Sequence, residues 1–261
     1  MTQKLPDAAG TVVRYVQNPT KLFDPVCLET NALHEQRLIK GEASAGRGNT
    51  VFFTLHNELL VLRHYRRGGL VRYISKKHYL YVGLHRTRAM REFDLLLFLQ
   101  QAGLPAPLPY ACSVVRCGLL YTASLVTHHL PGRTLAERLL ADACLSADIT
   151  LDEGVWRSMG YLIARFHVAG VFHADLNAHN IMLDDDGNAT LIDFDRGRIR
   201  QLPKNLTQEG WCLDNMDRLE RSLVKIAESG TAERLNAHSL VKKFAICRKQ
   251  WSTSLNTLMG V

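Results

Sequence analysis

The sequence predicts an α+β protein in two parts, an antiparallel sheet with one helix followed by a mainly helical part. Three observations carry that expectation. Runs of β-branched and aromatic residues crowd the first half, apolar residues at helical spacing dominate the second, and a short apolar hairpin sits within the helical part. A chain of 261 residues can bury a substantial core as one two-part enzyme or as two small domains. Hydrophobic residues make up 46% and charged residues 22%, the composition of an ordinary soluble globular protein. No segment approaches the roughly 20 apolar residues that span a bilayer. The start Met1-Thr-Gln-Lys4 lacks the apolar core of a secretion signal. Six cysteines without a Cys-x-x-Cys pair predict reduced thiols in a cytoplasmic protein, not a zinc site or a disulfide framework.

Taken in order, Val12–Val16 and Thr50–Leu55 are strand runs, and Glu58–Arg63 is the next strand after a turn at His56-Asn57. Gly41 to Thr50 is a Gly/Ser-rich bridge. From Arg86 to Gly103 the apolar residues Met90, Phe93, Leu96 and Leu97 fall on one helical stripe, which Gly103 and Pro105 end. Leu104–Pro109 carries three prolines and must be extended. Tyr110–Val115 and Leu119–Val126 pair around Arg116-Cys-Gly118, and Thr127–Gly132 is the expected hinge. The chain thus divides at 1–127 and 128–261. Past the hinge, Thr134 with Glu137 forms a capping-box signature for a helix to Ala141. Asp152–Ala169, Leu213–Ala227 and Glu233–Leu258 are further helical patterns.

The chemistry concentrates in His173-Ala-Asp175-Leu-Asn-Ala-His-Asn180-Ile181 and Leu191-Ile-Asp193-Phe-Asp195. Between them Ile181–Leu183, an Asp184–Asn188 turn and Ala189–Ile192 read as a hairpin. This is the spacing of a protein-kinase catalytic loop and its metal-binding turn, so the architecture expected is bilobal and protein-kinase-like, with nucleotide in the cleft between lobes. Asp175 is the candidate for orienting or deprotonating an acceptor hydroxyl. Asn180 and Asp193 are hard oxygen ligands for Mg²⁺ against the phosphates of ATP. His173 reads as a structural hydrogen-bonder, Asp184, Asp185 and Asp186 as solvated turn residues, and Asp195 as an outer-shell ligand or a turn cap.

A kinase also needs a clamp on the α/β-phosphates, usually a strand Lys fixed by a helix Glu. The matching residues are Arg63 and Glu92; guanidinium grips phosphate bidentately, so arginine is chemically adequate. The competing reading makes Arg63 a surface cation and Glu92 a helix partner of Arg88. Gly46 and Gly48, just before the Thr50 strand, are candidates for a phosphate-covering turn. Asn177 stands where protein kinases have Lys, and neither an Ala-Pro-Glu segment nor an arginine for an activation-loop phosphate is present. The expected acceptor is therefore a small or lipid-linked molecule and not a protein side chain.

The formal net charge is +7. Between Glu58 and Glu92 no acid occurs, while Arg63, Arg66, Arg67, Arg72, Lys76, Lys77, Arg86, Arg88 and Arg91 alternate with tyrosines. Such a face suits an anionic partner: a phosphorylated substrate, an anionic membrane surface or, with no recognition signature in support, nucleic acid.

The block His173–Ile181 with Leu191–Gly197 resembles the Kdo (3-deoxy-D-manno-octulosonic acid) kinases. So do Val61-Leu-Arg-His-Tyr-Arg-Arg-Gly-Gly-Leu70 and Trp211 followed by Asn215–Lys225. The resemblance runs from about Thr50 to Lys225, and Asn215-Met216 departs from it where leucine is expected after the asparagine. It implies ATP-dependent, Mg²⁺-assisted phosphorylation of the 4-hydroxyl of a Kdo sugar on a lipid A precursor, in lipopolysaccharide assembly. It also implies a peripheral protein at the cytoplasmic face of the inner membrane of a Gram-negative bacterium, with no nucleic-acid partner. Arg66 and Arg67 are candidates for gripping anionic groups of the acceptor. The sequence does not show whether membrane attachment uses the basic surface or an apolar patch near Trp251. Two other classes stay open: another sugar kinase of the heptose or aminoglycoside type, and a non-catalytic kinase-like lipid-binding module.

Overall fold

A computed structural model describes residues 2–6, 10–16, 22–43, 50–65, 78–145, 151–203, 210–228 and 237–260. The first part of the chain builds β1 (Thr2–Pro6), β2 (Thr11–Val16), α1 (Thr30–Glu35), β3 (Ile39–Ala43), β4 (Thr50–Leu55) and β5 (Glu58–His64). It continues with β6 (Tyr79–Leu80), α2 (Arg88–Gln101), β7 (Pro109–Cys117) and β8 (Leu120–His128). The strands form one antiparallel sheet in the order β1-β2-β7-β8-β5-β4-β3, with β6 on β8. Strand β4 shows why: its residues alternate between buried and half-buried, the period of a sheet with one face in the core. His56 and Asn57 both take positive φ, which gives the two-residue β4–β5 turn the backbone twist a tight hairpin needs.

The core of this sheet combines Val51, Phe53 and Leu55 with Leu60, Leu62, Ala111 and Val126. Val26, Cys27, Leu28 and Leu33 cover it, from a short 3-10 turn (Pro25–Leu28) and α1. These two short pieces add to the one helix that periodicity predicts, α2. The sequence hides them because six residues make fewer than two turns, too few to show a stripe. On α2, Met90 meets Cys112 of β7, Asp94 pairs with Arg14 of β2, and the Arg14 guanidinium lies 5.2 Å from the Phe93 ring centroid.

The second part holds β9 (Arg133–Thr134), α3 (Leu135–Leu145), α4 (Glu153–Val168), β10 (Val171–Phe172), β11 (Ile181–Leu183) and β12 (Ala189–Leu191). It ends with β13 (Arg198–Ile199), α5 (Trp211–Glu228) and α6 (Ala237–Met259). The capping box forms as predicted. Thr134 N–H donates to Glu137 Oε2 at 2.8 Å, and Glu137 N–H donates back to Thr134 Oγ1 at 3.1 Å. Asp152 caps α4 by accepting from Val155 N–H at 2.9 Å.

Helices α4 and α6 pack closely because of Gly160. A Cβ there would stand 2.2 Å from the Cys247 carbonyl oxygen, so only glycine allows the two backbones to approach. Gly132 plays the same part at a turn: its φ is +112°, and a Cβ would lie 2.2 Å from the Leu183 carbonyl oxygen. By internal contacts the chain forms two units, Met1–Phe98 with Pro107–His129, and Leu99–Ala106 with Leu130–Val261.

Trp251 bears on the question left open. It is 1% exposed, and its Nε1–H donates to His167 Nδ1 at 2.9 Å, so the indole lies in the core and not at the surface. Exposed apolar side chains gather elsewhere, at Leu80, Val82, Leu119 and Leu120 around β6 and the β7–β8 turn. Five described cysteines are free thiols; burial pushes Cys112, Cys212 and Cys247 up to about 12 and Cys27 higher still, while Cys117 at the end of β7 is exposed. No helix among the described residues is long and apolar enough to cross a membrane.

Candidate active site

The loop after β10 is organised by a buried histidine. His173 is 2% exposed; its Nε2–H donates to the Ile192 carbonyl at 2.9 Å and its Nδ1 accepts from Asp175 N–H at 3.2 Å. Those two bonds specify the neutral ring with its proton on Nε2. Burial lowers its pKa, against the raising influence of the Ile192 carbonyl and the nearby Asp193 and Asp175 carboxylates. Helix α5 fixes the same residue from behind. Asn215 Nδ2–H donates to the His173 carbonyl at 2.8 Å, and Asn215 Oδ1 accepts from His173 N–H at 3.3 Å.

Asp175 is held by its backbone. Its carbonyl accepts from Asn180 Nδ2–H at 2.8 Å and from Asn177 Nδ2–H at 3.0 Å. The carboxylate itself is half exposed, with Arg218 Nη1 3.9 Å from Oδ1. Asn177 also caps the turn Ala178–Asn180 by accepting from His179 N–H at 2.8 Å, and Ala178 N–H donates to Ser222 Oγ of α5 at 3.1 Å. Asn177, which departs from the lysine of protein kinases, thus holds the loop together.

The predicted hairpin follows, with Ile181 opposite Leu191 and Leu183 opposite Ala189. Ile192 N–H donates to the Asn180 carbonyl at 3.0 Å, which brings Asn180 alongside the residue preceding Asp193. Asp193 has φ of +61°, a left-handed backbone that few residues other than glycine adopt and that recurs at functional sites. Asn180 is buried and commits its amide N–H to Asp175, leaving Oδ1 without a hydrogen bond among the described residues. An amide oxygen and a carboxylate are hard oxygen ligands of the kind a divalent cation takes alongside phosphate and water. No group of three or more His, Cys, Asp or Glu side chains able to hold a metal occurs among the described residues, so a protein-only cage is absent there. Asp184 is a turn residue: it accepts from Asn188 N–H at 2.7 Å and Asn188 Nδ2–H at 3.0 Å, which lowers its pKa.

In the first unit, Arg63 of β5 and Glu92 of α2 meet. Arg63 Nη2 lies 2.5 and 2.6 Å from the two Glu92 oxygens, and Tyr65 O–H donates to Glu92 Oε2 at 2.5 Å. Arg88 turns instead to Tyr79, whose hydroxyl accepts at 2.9 Å. Glu92 is thus a partner of Arg63, as the clamp reading expects. Gly46, Gly48, Arg66 and Arg67 lie outside the described residues.

Asp175 opens on a concavity of about 510 Å³ in the second unit. Its wall from α5 carries Arg218, Arg221, Ser222 and Lys225, and the loop supplies Asn177 and His179. Sequence reasoning gave these α5 cations no role. Their spacing of three, four and seven residues was a legible signal of one helix face, but nothing in the sequence said that the face borders a cavity.

The model of the family described as "Lipopolysaccharide kinase (Kdo/WaaP) family" matches residues 32–251. A 3-deoxy-D-manno-octulosonic acid kinase of Stenotrophomonas maltophilia strain K279a is 40% identical over 212 residues, 81% of this chain and 78% of that protein. One of Vibrio parahaemolyticus is 40% identical over 187 residues, 72% of this chain and 73% of that protein. The solved structure of WaaP in complex with acyl carrier protein aligns with a TM-score of 0.49 at 15% identity, over 88% of this chain and 98% of that one. With a match this long and relatives this similar, the chain belongs to the lipopolysaccharide kinase (Kdo/WaaP) family and is a phosphotransferase with a hydroxyl acceptor.

Proposed function

We propose that this protein transfers the γ-phosphoryl group of ATP to the 4-hydroxyl of a Kdo sugar on a lipid A precursor, at the inner-membrane surface. The observation that carries the reading is Asp175, fixed through its backbone by His173, Asn177 and Asn180 while its carboxylate stays open to the concavity. The relatives' activity on the same sugar acid supports the choice of acceptor.

Asp175 accepts the proton of the sugar hydroxyl as that oxygen bonds to the γ-phosphorus and the bond to the β-phosphate oxygen breaks, giving ADP. Asn180 and Asp193 would hold Mg²⁺, whose charge would offset that of the phosphates, with Asp195 as an outer-shell ligand or a turn cap. Arg63 grips the α/β-phosphates, and Glu92 with Tyr65 keeps its guanidinium in place. Gly46 and Gly48 cover the phosphates, and Arg66 and Arg67 contribute to acceptor binding. Membrane attachment uses the exposed Leu80, Val82, Leu119 and Leu120, flanked by Arg86 and Arg116, together with the basic run; cations near an anionic surface contribute about 1 kcal/mol each.

The test incubates pure protein with Mg-ATP and a Kdo-bearing lipid A precursor. Mass spectrometry then locates any added phosphate. Phosphate on the 4-hydroxyl of Kdo is the expected product; none on this sugar, with transfer to a heptose or aminoglycoside, would overturn the reading.

A further inference from the structure

Helix α5 carries two sets of charges that the fold treats differently. Asp217 and Glu220 both accept from Arg248 Nη2 of α6, at 2.5 and 2.9 Å. Arg218, Arg221 and Lys225 instead line the concavity that holds Asp175. Arg221 and Lys225 make no ion pair or hydrogen bond among the described residues, and the acid near Arg218 is Asp175 itself, at 3.9 Å. Such an arrangement is unfavourable for the helix. Arg221 and Lys225 are four residues apart, where like charges repel. Lys225, in the last turn, gains from the helix dipole, but Arg218 and Arg221 lie too far from the C-terminus to do so. Asp217 stands four residues before Arg221, yet it and Glu220 pair with Arg248 of α6.

We propose that Arg221 and Lys225, with Arg218 at the Asp175 end, form a subsite for an anionic group that the acceptor carries close to its reacting hydroxyl. The group is a carboxylate or a phosphate: guanidinium offers either one a planar fork of donors, and ammonium a point charge. A sugar acid supplies the first and a phosphorylated lipid the second. The inference rests on Asp175 serving the acceptor. Its content is that orientation of the hydroxyl toward Asp175 comes from charge held on the adjacent helix face. Ser222 belongs to the same wall, and by accepting from Ala178 N–H it ties that face to the loop of Asp175.

The experiment compares the wild type with an R221Q/K225Q variant and a charge-retaining R221K/K225R variant. Three acceptors are offered in mixed micelles: the Kdo-bearing lipid A precursor, the same molecule with its sugar carboxylate methyl-esterified, and the same molecule without lipid phosphates. Nucleotide-free binding of each acceptor is measured by calorimetric titration, and folding by thermal melting. R221Q/K225Q is expected to raise KM for the intact acceptor at least about tenfold, the loss expected for hydrogen bonds to a charged group. KM for ATP and the melting temperature stay unchanged or, for melting, rise, and R221K/K225R recovers most of the affinity. The acceptor on which the two glutamines make no difference identifies the anion that was bound. Equal losses on all three acceptors, or wild-type KM and binding in R221Q/K225Q, would overturn the subsite while leaving the kinase reading standing. Charge-dependent acceptor binding without any phosphate transfer by the wild type would retain the subsite and overturn the kinase reading. A wild type that neither binds nor phosphorylates the acceptor overturns both.

Discussion

The two units hold their functional side chains by opposite means. In the first, Glu92 is almost fully buried, and its charge is met directly by Arg63 and by the Tyr65 hydroxyl. In the second, neutral polar groups hold the loop: His173 and Asn215 fasten the backbone around Asp175, and the Asp175 carboxylate is left half exposed. The Glu92 charge is paired and withdrawn from water; the carboxylate of Asp175, the proposed general base, is positioned through its main chain and kept accessible. Stability and activity should therefore separate cleanly at Asp175 and move together at Glu92.

The largest effect tests that separation. Asp175→Asn should lower turnover by about 10²–10⁴, the usual cost of losing a general base, with little change in melting temperature, because every hydrogen bond of Asp175 is to its backbone and its carboxylate meets only the half-exposed Arg218, at 3.9 Å. A variant with nearly full turnover ends the assignment.

Glu92→Ala should do both kinds of damage. It strips a buried partner from Arg63 and Tyr65, destabilising the fold by roughly 3 kcal/mol in urea titration, and it raises KM for ATP. A stable variant with normal ATP affinity would break the comparison from the other side.

Acid should act on the neutral network. Burial holds His167 at about 3 against an ordinary 6.5, and its ring accepts from Trp251 while interacting with Asn215. Because the folded state takes up the proton later than the unfolded chain, this stability is complete above about pH 6.5 and declines below it. The decline reaches about 2 kcal/mol at pH 5. Buried His173 adds to it in the same direction. Urea titrations at the two pH values should show the loss, and His167→Gln should flatten it.

The smallest effect serves as a reference for the others. Thr134→Ala removes one side of the capping box and should lower stability by about 1 kcal/mol without altering kcat. A large change in kcat would mean that α3 takes part in positioning the loop.

Much of this was legible in the sequence because local chemistry decided it. The His56-Asn57 turn, the Thr134–Glu137 box and the Asp184–Asn188 turn each form between residues at most five apart, so their partners are adjacent in the text. Arg63 with Glu92 was legible for a different reason, as a strand–helix pairing known from kinases generally. What escaped reading depends on distant parts of the chain. The two-residue strands β9, β10 and β13 exist only through their partners, Arg133 to Leu183 and Val171 to Ile199. Asn215 becomes an anchor only once His173 lies against it. Trp251 is another case: His167, 84 residues earlier, accepts its indole N–H inside the core.

The uneven fate of the thiols has a practical consequence. Cys27, Cys112, Cys212 and Cys247 are shielded and hard to ionise, whereas Cys117 stands in water a few residues from Leu119 and Leu120. A polarity-sensitive maleimide dye should therefore favour Cys117 among the described cysteines. Its emission, read with and without anionic vesicles, would report directly on whether that edge of the sheet leaves the aqueous phase.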